Sequence, residues 1–454
     1  MRPDKSSTLT RAVPVTNAYS RPDSRSAHLW RQAQEVLPGG NSRTTVFMSP
    51  RPIYAAEGEG CWLIDVDGDR RLDLLNNYTA LIHGHAHPSV TDAAARRLAR
   101  GASFPLPTAE EIDLATLLVE RVASVERVRF TNSGSEAVMM AIKAARAFTG
   151  RHRIAKFEGA YHGSYDWAEV SLSSSPADWG SLEAPASVAY CKGTPPSVLS
   201  DVVVLPFNHT RLAAARIERE AGELAAVILD PVPNRVGLIP ARVEFLKTLR
   251  EVTAAHGIVL IFDEVISFRV GYRGAQGAFG VRPDLTTFGK IIGGGFPVGA
   301  VGGRAEVMAV FDPRGGKPLV PHGGTFNANP VTMAAGLAAM QLMDEAAYAR
   351  LEELGEKLRA GFRACLARAG VPGAITGMGS LFRIHPAEQA FVDYRSTLAD
   401  EGERQRLDQL HRALLDHGVL ISPTGLGCVS TAVTDAEIEY FLEIVNHCVQ
   451  ETLD

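Results

Sequence analysis

Three short segments combine residue types that can do chemistry. The run Phe130-Thr131-Asn132-Ser133-Gly134-Ser135-Glu136 reads as a strand end followed by a helix start, with Ser133 and Glu136 at capping-box spacing. Gly134 permits close backbone approach, and free N–H groups plus the helix dipole make an anion site there. In Ile261-Phe262-Asp263-Glu264-Val265, two acids stand at the carboxyl end of an apolar strand. Asp263 follows the apolar run directly, so its carboxylate is desolvated unless a cation meets it. Phe288-Gly289-Lys290 ends another strand and precedes the glycine-rich run 293–299. A lysine in an apolar, glycine-rich setting has its pKa depressed by desolvation, as an imine-forming amine requires.

Each segment alone has a plain structural explanation: an ordinary N-cap, an acid facing solvent, a surface lysine. The combination is rarer, and it matches the needs of pyridoxal phosphate. Lys290 would form the Schiff base, a carboxylate would keep the pyridine nitrogen protonated, and a helix N-terminus would hold the phosphate. Glu264 or Asp284 could take the acid's role, but Asp263 is preferred because it ends the most apolar strand. No GxxxxGK[ST] loop occurs, and 293–299 does not match the nicotinamide fingerprint GxGxxG after a first strand. His83, His85 and His87 alternate before Pro88, with no complementary Cys or acid ligands, so no metal is expected.

The elements that must position these residues follow from the patterning. A first helix is predicted over 26–37, stopped by Pro38-Gly39-Gly40. Short runs at Ile53–Ala55, Cys61–Val66 and Arg71–Leu74 predict a small antiparallel sheet, its second and third strands joined by Asp67-Gly68. From about 108, strands at 128–130, 153–157, 202–205, 225–229, 258–262, 285–287 and 299–301 alternate with helices at 135–149, 210–222 and 241–256. That is an α/β pattern with a mostly parallel seven-stranded sheet between helices, whose ligands gather at strand carboxyl ends. Beyond about 330 the chain turns helical, with strand-like pieces near Leu381–Ile384 and Cys428–Ser430, which gives a smaller α+β lobe. The expected organisation is a flexible tail over 1–25, an N-terminal segment over 26–80, a large domain over 81–330 and a C-terminal domain over 331–454. The stretch 171–200 has little periodicity and reads equally as a mobile flap or a surface excursion.

Composition bounds the function. The 454 residues carry 46 Lys+Arg against 51 Asp+Glu, a formal charge of −5, so no basic excess points to nucleic acid. Five cysteines without metal-type spacing fit a reducing compartment, and no apolar run reaches the ~18–20 residues that span a bilayer. The N-terminus lacks a secretory apolar core. Its Ser/Arg/Pro-rich first 27 residues weakly resemble an organelle transit segment, but a loose tail and a cytoplasmic location are preferred.

The chain resembles the fold-type I, class III aminotransferases, and within them the glutamate-1-semialdehyde aminomutase branch. The resemblance rests on Phe130–Ala137, Ala147–Arg151, Tyr161-His162-Gly163, Phe262–Val265, Gly280–Gly299 and Gly324–Pro330, with Pro38–Arg43 and Gly84–Pro88 before them. It implies that Lys290 is the Schiff-base lysine and proton shuttle, and that Asp263 pairs with the pyridinium. It further implies that Val265 packs on one ring face and Tyr161 on the other, with His162 nearby. Ser133, Gly134 and Ser135 would hold the phosphate, and Thr325 would reach it from a partner subunit, so a homodimer with shared sites is implied. The stretch 171–200 corresponds to that branch's variable active-site flap.

Arg43 stands where the branch sets an arginine against the substrate carboxylate, a task suited to a planar guanidinium. Tyr78 stands where the aminomutases commonly have tryptophan, and Ser422–Ser430 replaces a pattern with a glutamate near the position of Gly425. Asp230 stands where the family usually shows Glu-Pro. A mutase must retain its intermediate, whereas an aminotransferase releases a keto product and admits a second acid. Loss of polar groups that hold the mutase substrate favours intermolecular transfer. The Arg43 context and the Ser-Pro-x-Gly loop are also similar to β-phenylalanine-type transaminases. The expectation is therefore transfer from a carboxylate-bearing donor, a β-amino or aromatic amino acid, to a keto acid such as 2-oxoglutarate or pyruvate. The alternatives are the aminomutase reaction and a non-catalytic binding protein, which the intact Lys290 disfavours.

Overall fold

The computed structural model describes residues 15–451. Its first residues are tied down by one carboxylate. Asp69 accepts from the Thr16 amide and hydroxyl at 2.7 and 2.8 Å and from the Ala18 amide at 3.2 Å. Residues 15–25, expected as part of a loose tail, are thus pinned, with Tyr19 buried. The rest of the expected tail, 1–14, lies outside the described residues. The first helix runs Arg25–Val36, capped by the Ser24 side chain. Strands β1 (Ala55–Glu59), β2 (Trp62–Asp65) and β3 (Arg70–Asp73) then pair antiparallel. β1 lies C-terminal to the expected Ile53–Ala55 run because it is an exposed edge strand, whose residues carry no apolar signal.

The large sheet is built from β4 (Arg127–Thr131), β5 (Arg153–Phe157), β6 (Val202–Leu205), β7 (Leu224–Leu229), β8 (Val259–Asp263), β9 (Leu285–Gly289) and β10 (Gly299–Gly303). Their order is β4-β10-β9-β8-β7-β5-β6, and only β10 runs antiparallel to its neighbours. Both faces are apolar, as a covered sheet requires. Ile154, Val202, Val204, Ile228 and Ile261 pack with the helix Gly134–Thr149, whereas Phe157, Val203, Leu205, Leu229 and Phe262 pack with Thr210–Glu220 and Val243–Ala255. The carboxyl ends of β4, β5, β7, β8 and β9 therefore open on one edge.

The smaller lobe contains β11 (Ala374–Thr376), β12 (Leu381–His385), β13 (Val419–Leu420) and β14 (Leu426–Cys428). β11, β12 and β14 form an antiparallel sheet, and the helices Glu345–Ala369 and Asp435–Glu451 pack on each other behind it. β13 joins β3 in parallel, Val419 opposite Leu72, so both ends of the chain build one small sheet. Helix Pro330–Gln341, expected beside the C-terminal lobe, packs on Pro88–Leu98 through Val90, Ala94, Val331, Ala335 and Ala339. Among the described residues no helix is long and apolar enough to cross a membrane.

Candidate active site

Four strand ends, those of β4, β5, β8 and β9, deliver candidate residues to that one edge. β8 ends at Asp263, which is 4% exposed. Its Oδ1 accepts from Thr287 Oγ1 at 2.9 Å and from the Val265 amide at 3.2 Å. Its Oδ2 lies 2.7 Å from His162 Nδ1. A carboxylate oxygen only accepts, so the Nδ1 of His162 carries the proton. Burial depresses the His162 pKa against the opposing pull of Asp263, which favours the neutral ring. His162 Nε2 is buried without a partner among the described residues. The competing acids are engaged elsewhere: Glu264 caps Ala275 and Gln276, and Asp284 pairs with Arg250 and Arg304.

Lys290 follows β9 with φ +51, a left-handed conformation that a lysine adopts only when its surroundings hold it. Its amine donates to the Tyr78 carbonyl at 2.9 Å, and burial pushes its pKa down to about 8. Tyr78 lies in a turn in which Asn76, Asn77, Tyr78 and Thr79 have φ of 50°, 48°, 55° and 71°. Four successive left-handed residues are costly for L-amino acids, so tertiary contacts must fix the turn. They are visible: Asn76 Nδ2 donates to the Cys428 carbonyl at 3.0 Å, and buried Arg269 donates to the Thr79 carbonyl at 2.9 Å.

At the start of helix Gly134–Thr149, Ser133 accepts from the Glu136 amide at 3.2 Å. The capping box is half formed, because the Glu136 carboxylate turns back to the Asn132 amide at 2.6 Å. The amides of Gly134 and Ser135 make no hydrogen bond within the described chain. A Cβ on Gly134 would lie 2.9 Å from Val265, so this helix start sits against the Val265 side chain. The Tyr161-His162-Gly163 loop reaches the same place. Gly163 has φ +87, and a Cβ there would lie 2.4 Å from Ser135 Oγ. Ser135 Oγ in turn accepts from the Ser164 amide at 3.1 Å. Tyr161 is 45% exposed.

Arg43 reaches the rim from the N-terminal segment. It donates to Asn77 Oδ1 at 2.8 Å and lies over the Tyr78 ring at 5.7 Å, while the Tyr78 hydroxyl donates to the Thr45 carbonyl. Thr325 is exposed, and two residues on Asn327 accepts from Asn132 at 2.8 Å. The alternating histidines serve separate partners: His83 meets Thr431 and the Ala339 carbonyl, and His85 meets Asp73.

These groups form a layout that fits pyridoxal phosphate. Free helix amides suit a phosphate, and an oriented carboxylate beside a neutral imidazole suits a protonated ring nitrogen. An amine of lowered pKa suits an aldehyde. The sequence profile described as Aminotransferase class-III matches residues 46–449. The chain belongs to the class-III aminotransferase family. Among members of that family, it is 40% identical over 422 residues to the glutamate-1-semialdehyde 2,1-aminomutase of Methanothermobacter thermautotrophicus, covering 92% of this chain and 97% of that one. It is also 40% identical over 410 residues to the beta-phenylalanine transaminase of Variovorax paradoxus, covering 90% and 89%. The crystal structure of an omega-transaminase from Sphaerobacter thermophilus superposes with a TM-score of 0.95 at 55% identity, covering 96% of this chain and 100% of that one.

Three contacts in this class-III aminotransferase escaped the sequence reading. The Thr287 bond to Asp263 depends on strand register, since β8 and β9 place Thr287 opposite Asp263. The Tyr78 carbonyl depends on a left-handed turn that only Asn76 and Asn77 hint at. The direct His162 bond to Asp263 required knowing that β5 and β8 flank β7.

Proposed function

We propose that this class-III aminotransferase moves an amino group from a carboxylate-bearing donor, a β-amino or aromatic amino acid, to a keto acid such as 2-oxoglutarate or pyruvate. Pyridoxal 5'-phosphate is its cofactor. One observation carries the reading: the reactive amine of Lys290 and the guanidinium of Arg43 flank a single residue. Lys290 bonds the Tyr78 carbonyl and Arg43 lies over its ring. Arg43 makes no ion pair among the described residues, so its charge is available to a substrate carboxylate.

When bound, pyridoxal phosphate supplies an aldehyde for the amino group and a cationic ring that draws electrons from the substrate carbon. The chain's own groups then divide the work. Asp263, oriented by His162 and Thr287, would hold a proton on the ring nitrogen. Ser133, Gly134 and Ser135 would bind the phosphate. Val265 and Tyr161 would cover the two ring faces. Lys290 moves the proton at the substrate carbon, and its lowered pKa keeps the amine partly unprotonated near neutrality. Arg43 orients the donor by its carboxylate, and Tyr78 forms the adjacent wall.

We propose that the working form is a homodimer in which the partner's Thr325 reaches the phosphate. Exposed Phe104, Leu106 and Phe326 cluster with Thr325 and support a second copy covering this surface. A second reading, intramolecular transfer, draws on the similarity to the aminomutases. Supplying a donor with and without a keto acid separates the two: an aminotransferase stops after one half-reaction without acceptor, whereas a mutase continues.

A further inference from the structure

β12 carries an arginine that meets no acid among the described residues. Leu381 pairs with Cys428 and packs on the apolar wall that includes Tyr78, Val232 and Leu426. Arg383 lies two residues on, on the same face and about 7 Å along the strand. One of its amines, Nη1, donates to the Asn234 carbonyl at 2.7 Å, while Nε and Nη2 make no hydrogen bond within the described residues. Nor does Arg383 make an ion pair among them. The next residue after Asn234 is a second arginine, Arg235, exposed in the loop after β7. Among the described residues its side chain donates to Ser173 Oγ at 2.9 Å, at the start of the 171–200 segment. Burial, with repulsion from the Arg235 charge, lowers the Arg383 pKa to about 10.

Two unmatched guanidiniums, one with a free two-nitrogen edge, form a geometry that complements a carboxylate. We propose that Arg383 and Arg235 form a second carboxylate subsite, which holds the distal carboxylate of a dicarboxylic 2-oxo acid acting as amino acceptor. This rests on the aminotransferase reading above, in which Arg43 takes the first carboxylate. The assignment has a structural logic. Arg43 lies over the Tyr78 ring, Arg383 follows Leu381 of the wall that includes Tyr78, and its bond to Asn234 ties it to the loop after β7 at the ligand edge of the sheet. A monocarboxylic acceptor would use one of the two charges, and a dicarboxylic acceptor would use both.

The test is acceptor kinetics on the cofactor-loaded enzyme with one donor and two acceptors, 2-oxoglutarate and pyruvate. Arg383→Gln is expected to raise KM for 2-oxoglutarate about tenfold or more, while KM for pyruvate changes less than threefold. Arg235→Gln, at an exposed position, should shift KM in the same direction by a smaller factor, and it decides the matter if Arg383→Gln does not fold. Glutarate, an unreactive dicarboxylate, should inhibit the wild type and lose potency in both variants. Parallel changes for 2-oxoglutarate and pyruvate, or no change for either, would overturn the subsite while leaving aminotransfer intact. A wild type that isomerises its donor and ignores both acceptors would instead overturn the aminotransferase reading, and this proposal with it.

Discussion

The amine of Lys290 donates to the main-chain carbonyl of Tyr78 at 2.9 Å, across 212 residues of sequence. Both partners are in left-handed backbone, Lys290 at φ +51 and Tyr78 at φ +55. Two strained segments thus face each other at the reactive nitrogen, and the Tyr78 turn is held from behind by Arg269 and Asn76. The contact fixes an otherwise flexible side chain, and burial lowers its proton affinity.

The lowered pKa has a direct consequence. Only the neutral amine attacks an aldehyde, and Lys290 becomes neutral as the pH rises through about 8. The rate of pyridoxal phosphate capture by the stripped protein should therefore climb about tenfold per pH unit below that point and level off above it. Stopped-flow absorbance measures this. Lys290→Ala should give no borohydride-reducible adduct; a reduced adduct found by mass spectrometry would remove Lys290 from the role.

Asp263→Asn keeps the shape and the Thr287 and Val265 contacts to Oδ1, but the neutral amide cannot hold the ring nitrogen protonated. We expect a folded protein with turnover reduced by about 10²–10⁴. His162→Leu, which removes only the orienting bond to Oδ2, should lose less. Equal losses in the two variants would mean that His162 acts on substrate or cofactor directly.

For Arg43→Ala, KM should rise roughly 10- to 100-fold for carboxylate-bearing donors, the effect of losing a charge-assisted bond. Simple amines lacking a carboxylate should be nearly unaffected. An equal rise for both kinds of donor would show that Arg43 supports the Tyr78 turn and does not bind carboxylate.

The strands of the large sheet were legible because each is a short apolar run between polar helices, and a parallel sheet buries both faces. Asp263 and Lys290 were legible for a related reason: a charged residue directly after such a run sits at the ligand edge. What was not legible is what depends on strand order and distant pairing. Thr287 reaches Asp263 only through the β8–β9 register, and β13 joins β3 from the far end of the chain. Arg383 drew no attention in the sequence because a single arginine in a short strand is normally solvated. Its meaning comes from the Asn234 carbonyl and Arg235 beside it.

Gly163→Ala should damage both stability and cofactor affinity. The φ of +87 disfavours any side chain, and the new methyl would press on Ser135 Oγ at 2.4 Å. The expected cost is about 1–3 kcal/mol of stability, with a weaker pyridoxal phosphate titration because Ser135 must shift. Gly150→Ala is the control: its φ is +69 but nothing lies within 4 Å, so it should lose stability without losing cofactor affinity.

Asp230 directly follows β7 and feels the charge of Asp263, and its ionisation should be visible in stability. Burial, reinforced by the Asp263 charge, pushes its carboxyl up from 3.8 to about 8. The folded chain therefore holds a proton there that the unfolded chain releases near pH 4. Stability from this group is fully present below about pH 4 and is lost as the pH rises through about 8. Asn cannot ionise and keeps an Oδ1 acceptor for the Val232 amide, which Asp230 binds at 2.9 Å. In the cofactor-free protein, Asp230→Asn should match wild type near pH 4 and exceed it by about 2–5 kcal/mol at pH 8, with the gap widening between those limits and flat above. Thermal melts across that range measure the gap. A difference that does not vary with pH would show that Asp230 ionises as freely in the folded chain as in the unfolded one.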